Sequence, residues 1–265
     1  MKIINIRLDL SYDGSKYYGW QKQKKFPTIQ ETLEKSLGSI LNEKIGVIGI
    51  GRTDAGAHAL CYTANFKTTR LSFPFVKLKD ILNTRLPQDT RVLKAEQVSP
   101  EFHSRFDACA REYVYIALTP SFFKKDALVN KMKPFFYRYF HVLEEEPDME
   151  RLKTIVKIFR GEHSFKHFSI GYGKDMNFIR RIHYFRVKNL GGKIVFFIKG
   201  NGFLNGMIRS IVSTSLNFAY GKLNEEIISK ALYNEEPIPS KYRVLVPASG
   251  LYFKRGFFNI PEALL

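Results

Sequence analysis

Ile4-Asn5-Ile6-Arg7-Leu8-Asp9-Leu10-Ser11-Tyr12 alternates apolar and polar residues without a break. A period of two puts Ile4, Ile6, Leu8, Leu10 and Tyr12 on one face and Asn5, Arg7, Asp9 and Ser11 on the other, the pattern of a half-buried strand. After a loop rich in Gly and Lys, Thr28-x-x-Glu31 forms a capping box, and Ile29, Leu33, Leu37, Ile40 and Leu41 recur at helical spacing, which predicts a helix over 28–42. An apolar run at 45–50, a turn-like segment at 51–58 and an extended run at 59–66 predict two strands around one loop. A second helix follows at 74–84, carrying Val76, Leu78, Ile81 and Leu82, and a closing strand at 91–98. The order is β-α-β-β-α-β.

The second half repeats it in outline. Strands are expected at 111–118, 181–187 and 194–199, and helices at 148–159, 203–218 and 225–232, with a short last strand at 251–253. The expected class is α+β, with two ferredoxin-like (split βαβ) halves, residues 1–104 and 105–265, each a mostly antiparallel sheet with one face covered by helices. Two free faces meeting would form a basic cleft. The segment 119–147 mixes Phe122, Phe123, Phe135, Phe136, Tyr137, Tyr139 and Phe140 with lysines and shows no clear period.

Composition narrows the function. The 265 residues carry 42 Lys and Arg against 25 Asp and Glu, a net charge of +17, and 45% are hydrophobic, enough for a sizeable core. No window approaches the roughly 20 apolar residues of a membrane helix, and the start, with Arg7 and Asp9 among apolar residues, is unlike a secretory signal. A soluble, cytoplasmic protein is expected. Cys61 and Cys109 lie far apart without CxxC spacing, which excludes a disulfide framework and a structural zinc site. Excess positive charge favours polyanions, nucleic acid above all, although a basic surface kept for solubility has the same composition.

Gly51-Arg52-Thr53-Asp54-Ala55-Gly56-Ala57-His58 carries an acid, a base, a hydroxyl and a cation in one turn. Turn chemistry alone accounts for Gly and for an Asp bonded to its own backbone. Arg52, Asp54 and His58 exceed what a turn requires, and such density of ionisable groups marks sites. A metal pair of Asp54 and His58 lacks further ligands at suitable spacing. A relay of Thr53, His58 and Asp54 needs side chains that adjacent residues point apart. His58 reads as a structural hydrogen-bonder at the start of its strand.

At this loop the chain resembles the TruA family of tRNA pseudouridine synthases. The likeness covers nearly the whole length: Tyr12-Asp13-Gly14, Gly19-Trp20-Gln21-x-Gln23, Thr28-Ile29-Gln30-Glu31, the 51–59 loop, Phe102-His103-x-Arg105-Phe106, Arg111-x-Tyr113-x-Tyr115, Gly161-Glu162-His163-x-Phe165, Phe203-Leu204-x-x-Met207-Ile208-Arg209 and Pro247-Ala248-x-Gly250-Leu251-Tyr252. Departures are Ala57, where the family usually has Val, and Asn205 and Gly206, where it often has bulkier residues near Arg209. The resemblance implies an isomerase that converts uridine to pseudouridine at positions 38–40 of the tRNA anticodon arm, without cofactor or metal, as a homodimer. It also implies roles: Asp54 as the catalytic carboxylate, Arg209 paired with it, Tyr113 against the target base and Arg52 assisting base flipping. The alternative is a non-catalytic RNA-binding protein with RRM-like sheets. Its aromatic signature is missing, Gly200-Asn201-Gly202-Phe203 being only a faint likeness.

Overall fold

In chain order the elements are β1 (Ile4–Tyr12), α1 (Ile29–Leu41), β2 (Val47–Gly49), β3 (His58–Thr68), α2 (Leu78–Arg85), β4 (Thr90–Val98), β5 (Ala108–Leu118), α3 (Pro120–Lys124), α4 (Ala127–Lys131), α5 (Lys133–Phe136), β6 (His141–Val142), α6 (Met149–Ile158), β7 (Gly161–Ser164), β8 (Ile179–Asn189), β9 (Lys193–Gly200), α7 (Met207–Ala219), α8 (Glu225–Leu232) and β10 (Leu251–Phe258). The structure is a computed structural model and describes residues 3–71, 73–171, 177–233 and 236–258. Contacts group Met1–Arg111 with Tyr252–Leu265 in one unit and Glu112–Leu251 in a second.

The first unit has the expected β-α-β-β-α-β order. β1 pairs antiparallel with β3 and with β4, Leu8 standing opposite Ala64 and Ala95, and β2 pairs antiparallel with β3, Val47 opposite Phe66. Thr28 caps the helix as read, its Oγ1 accepting the Glu31 N–H at 3.4 Å, while the Glu31 carboxylate pairs with Lys35 at 2.9 Å; Asn42, in the left-handed region at φ 49°, closes the helix. Ile29, Leu33, Leu37 and Leu41 are buried, as are Leu78 and Leu82 of α2, so both helices turn their apolar stripes inward.

The polar face of β1 is not solvated, contrary to the alternation. Asn5 is 1% exposed and Asp9 8%. Asn5 Nδ2 donates to the carbonyls of Ser99 (2.9 Å) and Phe102 (2.8 Å). Asn65 Nδ2 donates to Asn5 Oδ1 (3.0 Å), while Asn65 Oδ1 accepts from the Ser104 N–H (2.9 Å) and hydroxyl (2.7 Å). Asp9 accepts from Thr63 and Arg7, and the Arg7 guanidinium lies over the Phe258 ring. Residues 99–107 and β10 thus cover this face, and each buried polar atom named here has a partner, as burial demands.

β10 is eight residues long and pairs in parallel with β3, Tyr252 opposite His58. Patterning divides the chain at 104/105; contacts divide it at 111/112 and again at 251/252. Apolar period marks a strand but not the sheet it joins.

In the second unit the strands stand in the order β5-β9-β8-β7, with β6 parallel to β5. Asp148 caps α6 through the Glu150 and Arg151 N–H groups. Helix α6 packs on β8 and α7, and Phe159, Phe165, Phe168, Phe185 and Phe196, all fully buried, meet in edge-to-face and tilted pairs. Helix α7 starts at Met207, not 203. Gly206 sits at φ 69°, and a Cβ there would lie 2.7 Å from the Ile170 side chain, which occupies the space a bulkier residue would need. Segment 119–147 folds mainly as α3, α4 and α5, of five, five and four residues. None is long enough to display a 3.6-residue period. Phe123 is buried with Leu118 and Val142, and Phe122, Val129, Phe136 and Phe140 pack onto them.

Two stability tests follow from these contacts. Asn65→Ala strips partners from Ser104 and Asn5 at once and is expected to lower unfolding free energy by about 1–3 kcal/mol, read from urea denaturation; no shift in midpoint would contradict the network. Burial lowers the His141 imidazole from its usual 6.5 to about 4. The unfolded chain therefore takes up a proton that the folded chain refuses, so this side chain's stabilising contribution is complete above about pH 6.5 and declines as pH falls towards 4. His141→Gln should flatten that limb of a midpoint-against-pH profile.

Candidate active site

Residues 51–57 join β2 to β3, and their backbone is held from several directions. The Tyr62 hydroxyl donates to the Gly51 carbonyl, and the Tyr12 hydroxyl and Thr53 Oγ1 are 3.0 Å apart. The Thr53 carbonyl accepts the Trp20 N–H at 3.3 Å, and Gly56, at φ 80°, donates its N–H to the Tyr17 carbonyl at 3.1 Å. Within the loop, Ala57 N–H donates to the Asp54 carbonyl at 3.1 Å. Two glycines make this contact physically possible. A Cβ on Gly14 would stand 1.9 Å from the Ala57 carbonyl oxygen, and one on Gly19, at φ 84°, 2.3 Å from that of Thr53. Only glycine lets the two backbones approach this closely.

His58, 2% exposed, stacks on Tyr252 with ring centroids 4.8 Å apart. The Gly14 N–H donates to its Nδ1 at 3.2 Å. This is the structural role the sequence indicates. Asp13 Oδ1, also 3.2 Å from Nδ1, accepts the Ser15 N–H at 2.9 Å.

Asp54 is half-buried in this pinned loop, and Arg52 beside it is exposed, its Nε donating to Gln21 Oε1 at 2.9 Å. Gln21 is a residue the sequence reading quotes without a role. Among the described residues no group of three or more His, Cys, Asp or Glu is placed to hold a metal ion.

The second unit assembles its own cluster. Tyr113 on β5 is buried, with the Phe203 ring edge-on at 5.3 Å, so the residue on which an RRM-like reading would lean packs against another aromatic. Tyr115 is fully buried and donates its hydroxyl to the Pro247 carbonyl at 3.0 Å. Burial lifts its phenol well above the usual range, and the positive charge of Arg209 pulls it partly back. Arg209, half-buried on α7, donates Nε to the Val246 carbonyl at 2.7 Å. A Cβ on Gly250 would lie 2.8 Å from the Tyr115 ring. Three separate motifs, at 113–115, 207–209 and 247–250, therefore meet. Nearby in sequence, Glu112 is 2% exposed and accepts the Tyr184 hydroxyl at 2.6 Å, a contact no local pattern announces.

The structure thus places Arg52 and Asp54 on one loop of the first unit; in the second, Arg209 lies near Tyr115, and Tyr113 packs against Phe203. Comparison with known proteins covers both. A family model described as tRNA pseudouridine synthase matches residues 10–107 and 155–259. The chain belongs to that family. It is 36% identical over 257 residues to tRNA pseudouridine synthase A 2 of Clostridium tetani, covering 96% of this chain and 99% of the relative. It is also 36% identical over 251 residues to tRNA pseudouridine synthase A of Clostridium acetobutylicum (95% and 98%), and 35% over 259 residues to that of Brachyspira hyodysenteriae (96% and 98%). A solved Cbf5-Nop10-Gar1 complex contains a chain of looser likeness, with a TM-score of 0.40 and 13% identity over 94% of this chain and 48% of that one.

As a tRNA pseudouridine synthase the enzyme is an isomerase acting on uridine in tRNA. The α+β class and the family resemblance agree with these findings. Gly19→Ala should separate loop geometry from fold: the added methyl forces the 51–57 loop off its bed, and a displacement of about 1 Å at reacting groups costs about 10²-fold. Pseudouridine formation should fall by about that factor with the circular dichroism spectrum unchanged; full activity would show that the close approach has no bearing on the site.

Proposed function

We propose that the enzyme modifies uridines 38–40 of the tRNA anticodon stem-loop and that Asp54 is its catalytic carboxylate. The observation that supports this best is the placement of Asp54: it is the sole acid of a loop whose backbone is pinned by Tyr17, Trp20 and Tyr62 and whose Thr53 side chain meets Tyr12, yet it stays half-exposed. A group that must touch a substrate needs both properties, fixed position and access.

In the reaction the bond from the ribose C1′ to uracil N1 breaks, the base turns, and C1′ bonds to C5; the C5 proton leaves and N1 gains one. Nothing is consumed, so the balance calls for no co-substrate. Asp54 either attacks a carbon of the nucleotide or removes a sugar proton, in a site that keeps water away. In this reading Arg209 pairs with Asp54. Tyr113, covered by Phe203 in the free enzyme, stacks on the extruded base once that ring turns aside and assists removal of its C5 proton, and Arg52, oriented by Gln21, assists flipping. Extrusion costs a few kcal/mol, which these contacts offset. The enzyme works in the cytoplasm as a homodimer, one subunit gripping the body of the tRNA while the other presents Asp54.

Asp54→Asn incubated with unmodified tRNA should bind within about 3-fold of the parent, because affinity rests mainly on phosphate contacts, and form no pseudouridine. Product at the parent rate would remove Asp54 from the mechanism. Modified uridines outside 38–40, mapped on the tRNA treated with the parent enzyme, would overturn the position. Binding should weaken with salt at a log–log slope of roughly 0.7–0.9 per phosphate neutralised.

A further inference from the structure

Beside the Asp54 loop stands an aromatic pair that the chemistry above leaves unused. Tyr18 and Phe26 stack with ring centroids 4.1 Å apart and planes 20° apart, and both are exposed, at 48% and 44%. The chain on either side of Tyr18 is bound to the loop of Asp54: the Tyr17 carbonyl takes the Gly56 N–H, and Gly19 beds against the Thr53 carbonyl. The pair is also held closed. Tyr18 N–H donates to the Pro27 carbonyl at 2.9 Å, and Gln23 Nε2 donates to the Tyr18 carbonyl at 2.9 Å. Thr28, two residues beyond Phe26, caps α1.

The charge of this segment is one-sided. Residues 14–30 contain Lys16, Lys22, Lys24 and Lys25 and no acid; Lys22 pairs with Glu34 at 3.1 Å, and Gln21 in their midst holds Arg52. A basic strip with an exposed aromatic face suits RNA, whose bases stack and whose phosphates pair with lysine, better than an apolar protein surface.

Resting on the reading that a uridine is extruded at Asp54, we propose that Tyr18 and Phe26 form a stacking platform for the base next to that uridine. Extrusion leaves the neighbouring base with one bare face. A ring fixed within one residue of the loop's own contacts replaces the lost stacking, and the lysines hold the adjoining phosphates. Tyr18 presents the platform, and Phe26 backs it and keeps its plane.

The test uses full-length enzyme and tRNA carrying 2-aminopurine on either side of the target uridine. In the Asp54→Asn background, which binds without turnover, the reporter on one side should be quenched on binding; with Tyr18→Ala and Phe26→Ala added, that quench should disappear. In otherwise unmutated enzyme the Tyr18→Ala/Phe26→Ala pair should raise KM for tRNA by roughly 10-fold, with kcat changed less than 3-fold, and Tyr18→Phe should behave as the parent. Equal quenching with and without the two aromatics, or an unchanged KM, overturns the platform. A loss falling on kcat together with a lowered Tm, not rescued by Tyr18→Phe, also overturns it and assigns the pair to loop packing. Activity surviving in Asp54→Asn would instead overturn the catalytic assignment, while the quench still decides the platform.

Discussion

Two backbones in contact, without side chains between them, are the constraint on which the first unit's site depends. Residues 12–20 and 51–58 approach so closely at Gly14 and Gly19 that a single methyl at either would overlap a carbonyl oxygen. The contact is directional as well as close, since Trp20 and Gly56 each bridge the two segments by a backbone hydrogen bond. A loop held by its main chain has few ways to drift, whatever its side chains do. Side chains add to this hold, Thr53 Oγ1 meeting the Tyr12 hydroxyl and Arg52 donating to Gln21.

The second unit solves a related problem with side chains. Residues 246 and 247 offer carbonyls that no strand pairs, and Arg209 and Tyr115 reach them from α7 and β5. Each bond satisfies a backbone acceptor and fixes a functional type of side chain at once. The cost of burying the Tyr115 hydroxyl is offset by that bond. Main-chain packing in one unit and side-chain bonds to main chain in the other each fix the geometry of a local segment.

Much of the fold was legible because its signals are local. Thr28 and Asn42 bound α1 through bonds made within a few residues, and the β1 alternation marks its apolar side directly. Asn5 and Asp9 defeat the same alternation. Their burial comes from residues 99–107 and from β10, far along the chain, and no period in residues 4–12 reports what will be laid over them. The segment 119–147 fails for another reason: its helices span little more than one turn, too short for an apolar position to recur.

The candidate site shows the same division. Asp54 and Arg52 stand out in the chain because a turn has no need of them, and the motif order alone names the family. That glycines 14 and 19 are beds for the 51–58 loop, that Gln21 holds Arg52, and that Tyr18 and Phe26 stack in solvent are decided by tertiary structure. Residue identity determines what chemistry is on offer and which short stretches fold on themselves. Which stretches meet is a matter of packing between distant segments, and no local pattern encodes it.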